Sequence, residues 1–334
     1  MLYVGTVGGL EAEIVARAGV PFVAVEAAGV RGLSAWRALL NGLKLLTGGV
    51  QAWRVVRSFR PDVVLATGGY ASAPVVAAAW LQRCPVMIYL PDVEPGLAVR
   101  VLSHLARRVA VSFADSARYF PPAKTVVTGY PVRSALYRGG KLSARQSLGL
   151  AVDGKVLLVF GGSRGAHRLN LAVGEALERL LAVAQVVHIA GSADAAWLAR
   201  RCEELPAAYR GRYHLHSYLH EEMTDALQAA DLAVARAGAA TMGEFAAVGL
   251  PSILVPYPYS GQHQAANAEL MVRRGAALKW DDSALAEKVL AGAVEKLLAD
   301  DRMLGSMAEN ARLLARPDAA KVIARDLLRL SGEA

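Results

Sequence analysis

The sequence holds only two cysteines, Cys84 and Cys202, far apart and in no C-x-x-C pair. That scarcity excludes a structural zinc site and predicts a reduced, cytoplasmic setting. No uninterrupted apolar run reaches the ~18 residues of a spanning helix, and the opening residues lack a basic-then-apolar signal pattern. No strand-linked G-x-G-x-x-G with a later ribose-binding acid is present, which disfavours a dehydrogenase. Nor is there a nucleic-acid-binding motif or an alternation of basic and aromatic residues, so nucleic acid is not an expected partner. What remains is a chain of 334 residues, 54% hydrophobic and 20% charged, long enough for two packed domains and far from a disordered composition.

The net charge of +8 is unevenly placed: residues 1–133 hold 14 Lys and Arg against 7 Asp and Glu, leaving the remainder near neutral. A basic first half suits phosphorylated substrates or an anionic membrane surface.

Short apolar runs alternate with helical patterns. Residues 2–6, 20–26, 63–67, 86–90, 108–112 and 125–128 read as strands, followed by 155–160, 185–190, 213–217, 232–235 and 252–255. Strands alternating with helices predict parallel sheets covered on both faces. Residues 138–154, with paired glycines and polar side chains, read as a linker. A repeat supports duplication. PDVVLATGGYASAP at Pro61 aligns with ADLAVARAGAATMG at Ala230, so Asp62 and Asp231, and Gly69 and Gly238, fall 169 residues apart. Two similar α/β domains, with their sheets facing across a cleft, are expected.

Residues 231–267 read as strand, glycine loop, helix with a carboxylate at Glu244, strand, and a polar loop at Gln262-His263-Gln264. A helix end attracts phosphate and a carboxylate accepts from a ribose diol, so this order predicts a nucleotide crevice. A carboxylate in a helix's first turn is also stabilised by the dipole with no ligand at all. Gly161, Gly162 and Gly165 form a second glycine loop suited to a diphosphate. The same residues match G-x-S-x-G, the nucleophile elbow of serine hydrolases, with Asp231 and His263 in a permissible order. A hydrolase explains neither the duplication nor the loop at Gly238. Trp36, Leu39, Leu40, Leu43, Leu46, Val50 and Trp53 recur at helical spacing beside Arg37, Lys44 and Arg54. This mixture fits a membrane-surface helix as well as a domain-packing one. Asp92 and Glu94 make a D-x-E pair without a nearby His or third acid, so no metal is expected there. An exposed loop acid or a general base are the readings left for Asp92.

Taken together, TGGYASAP at Thr67, EPGLAVR at Glu94, TGYPVR at Thr128, GGSRGA at Gly161, ARAGAATMGE at Ala235, QHQAAN at Gln262 and ARPDAA at Ala315 resemble the MurG family over nearly the whole chain. The resemblance implies a GT-B glycosyltransferase of two Rossmann-like domains, bound peripherally to the cytoplasmic face of the membrane. It also implies inverting transfer of N-acetylglucosamine from UDP-GlcNAc to an undecaprenyl-linked muramoyl-pentapeptide diphosphate, without a cofactor or metal. By the same resemblance, donor contacts come from Arg133, Ser163, Leu219, Ala239, Ala240, Thr241, Met242, Gly243, Glu244 and Gln264, with Gly161, Gly162 and Gly165 around the diphosphate. Trp36, Leu39, Leu40, Leu43 and Lys44 would form the membrane patch. The expected domains are 1–137 for the acceptor, 155–315 for UDP-sugar, and 316–334 as a helix returning to the first domain. An inactive nucleotide-binding partner, or a transferase for another lipid acceptor, remain the alternatives.

Two features depart from the family pattern. The chain opens at what resembles the family's second strand, which predicts a further strand and glycine loop some 25–35 residues long upstream. Asp92 stands where the family has asparagine, and an ionised aspartate accepts hydrogen bonds but cannot donate them.

Overall fold

The computed structural model describes residues 1–8, 11–27, 35–69, 71–162, 165–258 and 263–332, with the side chains of residues 35–45 outside that description. The chain divides into two compact units, Met1–Thr128 with Ala320–Ala334, and Gly129–Ala319.

In the second unit, β7 (Val156–Phe160), β8 (Gln185–Ile189), β9 (Tyr213–His216), β10 (Leu232–Ala235), β11 (Ser252–Leu254) and β12 (Ala277–Lys279) form one sheet in the order β12-β11-β10-β7-β8-β9. Every pairing is parallel. Helices on both faces explain why β7, β8 and β10 are buried along their full length and read as apolar runs rather than alternations. Leu157, Val159, Leu177, Leu180, Leu232 and Val294 meet in the core, where each large aliphatic side chain contributes about 1.5–3 kcal/mol on burial. The sheet order runs outward from β7 on one side and from β10 on the other. The boundary between them is therefore the topological switch point, where α/β sheets bind ligands at their carboxyl ends.

The first unit holds β1 (Tyr3–Thr6) paired with β2 (Phe22–Val25), and separately β3 (Val64–Ala66), β4 (Val86–Leu90), β5 (Arg108–Val111) and β6 (Thr125–Val127) in sequence order. No strand among the described residues pairs with both β1 and β3, and the sheet is split there. The C-terminal helix Ala319–Ser331 belongs largely to this unit, where its buried Asp326 takes Arg108 Nε at 3.3 Å.

The unit boundary lies earlier than the sequence suggests. Residues 129–137, expected in the first domain, and 138–154, expected as a linker, both belong to the second unit. Tyr130 packs against the helix Ala239–Val248 so closely that a Cβ on Gly243 would lie 2.5 Å from its ring. The glycine-rich stretch carries a helix of its own, Lys141–Ser147, whose Arg145 is anchored inside the unit. Paired glycines flank structure here rather than replacing it. The strand β12 was not anticipated either, because three residues between two helices show no periodicity.

Candidate functional site

The two glycine loops leave the carboxyl ends of β7 and β10, which are neighbours at the switch point, with Phe160 in register with Ala235. In the first loop, Gly162 and Gly165 take φ of +88° and +74°, conformations costly for residues with a Cβ. A Cβ on Gly165 would also lie 2.5 Å from the Ala190 carbonyl oxygen. The helix His167–Val183 follows, and its first-turn amides face the loop end of the strand with no side-chain cap. Ser163 lies outside the described residues.

A buried polar network sets the floor of this loop. Asn170 Nδ2 donates to Ala190 O at 2.8 Å and to Asp194 Oδ2 at 2.7 Å. Its Oδ1 lies 3.0 Å from His188 Nε2, and His188 Nδ1 lies 2.8 Å from the Tyr213 hydroxyl. Complete burial pushes His188 down to about 3, so the ring is neutral, with Nε2 donating and Nδ1 accepting. Burial works to raise Asp194, but hydrogen bonds from Trp197, Asn170 and His167 outweigh it and hold the carboxyl below its usual range. Gly165→Ala is therefore expected to destabilise the second unit by about 1–3 kcal/mol, because neither the left-handed backbone nor the fixed Ala190 carbonyl can yield. Chemical denaturation measures this, and a loss below a few tenths would mean that the loop relaxes freely.

The second loop leads into the helix Ala239–Val248, whose N-cap Gly238 provides no side-chain bond. Its first amides are thus uncapped by any side chain, as an anion site requires. The order of residues 231–267 predicts Glu244 at the start of this helix. The helix starts five residues earlier, and Glu244 lies in its second turn, beyond the reach of most of the dipole. Half-burial raises its carboxyl above the ordinary value, and the charge of Arg133 only partly opposes that. Dipole stabilisation consequently does not account for an acid at this position. Ala239, Ala240 and Glu244 retain exposure, whereas Met242 is fully buried, Thr241 nearly so, and Gly243 is covered by Tyr130.

Arg133 is exposed, and its Nη1 donates to His220 O at 3.1 Å, beside the half-buried Leu219 after β9. Gln264, in the first turn of the helix His263–Arg273, accepts at Oε1 from the Tyr257 amide at 2.9 Å, which directs its use as a donor through Nε2. Buried Asn267 donates to Ala237 O at 3.0 Å, tying that helix to the loop after β10. Gln262 lies outside the described residues. Arg133, Leu219, Glu244, Gln264 and both glycine loops all belong to the second unit.

The hydrolase alternative fails on topology. Asp231 stands at the amino end of β10, held by Arg145 and Lys141 at 2.7 Å each, while the G-x-S-x-G loop leaves the carboxyl end of β7. The two ends are about 13 Å apart at the rise of a β-strand, so Asp231 cannot serve a nucleophile there.

In the first unit, Asp92 is half-buried after β4, and its backbone carbonyl accepts from Ser116 Oγ at 3.4 Å. Glu94 accepts from the Tyr119 hydroxyl at 2.9 Å. Among the described residues no cluster of three or more His, Cys, Asp or Glu converges on a metal-sized site. The apolar stripe lies on the 25-residue helix Ala35–Phe59. Trp36, Leu39, Leu40, Leu43 and Lys44 have side chains outside the described part. Further along, Ala52 and Val56 pack on Ala78, whereas Leu46 (69% exposed), Val50 and Trp53 face outward, as do Trp80 and Leu81 of the neighbouring helix Ser72–Leu81. Among its described side chains, the helix buries Ala52 and Val56 and leaves Leu46, Val50 and Trp53 exposed.

The profile of the glycosyltransferase family 28 C-terminal domain matches residues 156–323, and that of its N-terminal domain matches residues 1–111. A UDP-N-acetylglucosamine--N-acetylmuramyl-(pentapeptide) pyrophosphoryl-undecaprenol N-acetylglucosamine transferase of Roseiflexus sp. (strain RS-1) is 43% identical, covering 97% of this chain and 82% of its own. The protein of the same name from Geobacter sulfurreducens is 37% identical over 98% of this chain and 89% of its own. Among solved structures, MurG of Acinetobacter baumannii superposes with a TM-score of 0.76 at 27% identity, over 98% of this chain and 90% of that one. UDP-GlcNAc 2-epimerase of Neisseria meningitidis, bound to UDP-GlcNAc, shares the fold alone, at a TM-score of 0.68 and 15% identity over 96% and 88% of the chains.

Proposed function

The chain belongs to glycosyltransferase family 28 and, within it, to the MurG family, and from that premise we propose that it transfers N-acetylglucosamine from UDP-GlcNAc to an undecaprenyl-diphospho-muramoylpentapeptide acceptor. One observation carries the donor half: two glycine loops and the Glu244 carboxylate share the switch point of a single parallel sheet. In this reading Glu244 accepts from the ribose hydroxyls, and Gln264 offers its amide to the sugar. The acceptor hydroxyl attacks the anomeric carbon and UDP departs with inversion. Backbone amides of the glycine loops and the two helix N-termini then stabilise the charge gathering on the diphosphate. Arg133 adds a positive charge on the same side. Asp92 is the acceptor-side carboxylate assigned here as base or acceptor contact. Transfer of labelled N-acetylglucosamine to the lipid acceptor tests the reading. UDP binding without transfer would instead support an inactive nucleotide-binding partner, and preference for diacylglycerol in competition would change the acceptor.

We further propose peripheral attachment to the cytoplasmic membrane face through the helix Ala35–Phe59. Its outward Leu46, Val50 and Trp53, with basic residues along the first half of the chain, support this. Replacing Leu46 and Trp53 together by serine is expected to weaken binding to anionic liposomes by about tenfold or more, since each large apolar side chain contributes about 1.5–3 kcal/mol on burial. Cosedimentation with liposomes measures it. Unchanged cosedimentation would remove this face from membrane contact.

A further inference from the structure

The loops of the donor site converge on a buried charge pair whose two members are brought together only by the fold. Asp282 follows β12 and is buried, as is Arg236, two residues before Gly238. Arg236 Nη2 lies 2.6 Å from Asp282 Oδ1. This is a charge contact rather than an aligned hydrogen bond, because Asp282 Oδ1 accepts none. The guanidinium's other end is committed: Nη1 donates to Val255 O at 3.2 Å and Pro256 O at 3.3 Å, and its carbon sits 5.6 Å from the centre of the Tyr257 ring. The Tyr257 amide in turn donates to Gln264 Oε1. On its other side, Asp282 Oδ2 takes Arg168 Nε at 3.4 Å, from the first turn of the helix after the first glycine loop.

A buried ion pair adds little net stability, because desolvation offsets its attraction, and well-packed apolar residues often serve as well. Its geometric demand is high, however. Arg236 cannot satisfy Asp282 and two carbonyls unless residues 255–257 stand in one place. That place sets the Gln264 side chain.

We propose that Arg236 and Asp282 are positioning residues that hold the Tyr257 amide in place and, through it, the Gln264 side chain against the sugar of the donor. The inference rests on the donor reading above and adds a division of labour within the site. The helix bearing Glu244 has a separate anchor in Tyr130, whose ring packs on Gly243. Losing the charge pair should therefore disturb sugar recognition and spare the uridine side. Arg168 is half-exposed, and its pair contributes little.

Calorimetric titration of the full chain with UDP and with UDP-GlcNAc tests the division. For Asp282→Asn and Arg236→Lys, UDP-GlcNAc affinity is expected to fall by about tenfold to 100-fold, as for a contact group displaced by about an ångström. UDP affinity should change by less than about threefold, the scale of a sub-kcal/mol perturbation. Equal losses for both ligands would overturn the proposal, as would no loss for either. Loss of a cooperative thermal transition in both variants would also overturn it, by making the pair purely structural. A wild-type chain that binds neither ligand would instead sink the donor reading itself, before any variant is compared.

Discussion

Glu244→Gln is expected to weaken UDP binding by about 30-fold to 100-fold, since two hydrogen bonds to a charged group become neutral ones, a loss of about 1–1.5 kcal/mol each. The substitution keeps the shape of the side chain, so folding should survive. The effect carries a pH signature. Burial places the Glu244 carboxyl above the ordinary 4.5 in the free protein. Its raised value means that protonation favours the folded, unliganded state, and that this contribution is lost as pH rises through the folded pKa. A ribose diol donates to the ionised form, so ligand binding opposes the shift and expels a proton. UDP affinity should accordingly fall as pH drops through a value above 4.5, and the glutamine variant should be flat over the same window. Calorimetry across that pH range decides it. Wild-type affinity in Glu244→Gln, or the same pH dependence in both proteins, would remove Glu244 from the ribose.

The second large effect concerns stability. Arg145→Ala should destabilise the second unit by about 3–5 kcal/mol, because it strips three carbonyls of their donor and leaves Asp231 with only the more exposed Lys141 as a charged partner. Arg145 donates to the carbonyls of Ala229, Val152 and Gly154, and pairs with Asp231 Oδ2 at 2.7 Å. Asp231 also accepts from the Val156 amide at 2.7 Å, so one arginine joins the entries of β7 and β10 to residues 141–154. Lys141, which is more exposed, reaches Asp231 Oδ1 and cannot replace the forked geometry. Arg145→Met combined with Asp231→Leu should recover part of the loss, because the pair is then removed whole. Urea unfolding measures both variants. A loss below about 1 kcal/mol, the range of an exposed ion pair, would show that this pair is not effectively buried.

Arg145 also illustrates how far local signals reach. Its segment reads as a linker because glycines and polar residues dominate, and no local pattern reveals that one side chain joins Val152 and Gly154 of that segment to the distant Ala229 and Asp231. Arg236 and Asp282 escaped for the same reason. Each is an ordinary charged residue until the chain brings them together. Glu244 shows a smaller error of this kind. The acid was visible, but the helix starts at Ala239, which replaces dipole stabilisation by burial as the controlling influence. The duplicated loops also diverge in detail. Gly69 takes φ of +83°, while its counterpart Gly238 is an extended N-cap.

Sequence by itself determined the α/β class, eleven of the twelve described strands, the two glycine loops and the family, because these rest on periodicity and local motifs that survive without tertiary context. Tertiary structure alone decided the unit boundary after Thr128, the split of the first sheet, the burial that raises Glu244 and the charge pair behind Gln264. Those depend on long-range contact, and desolvation and pairing have no signature in the order of neighbouring residues.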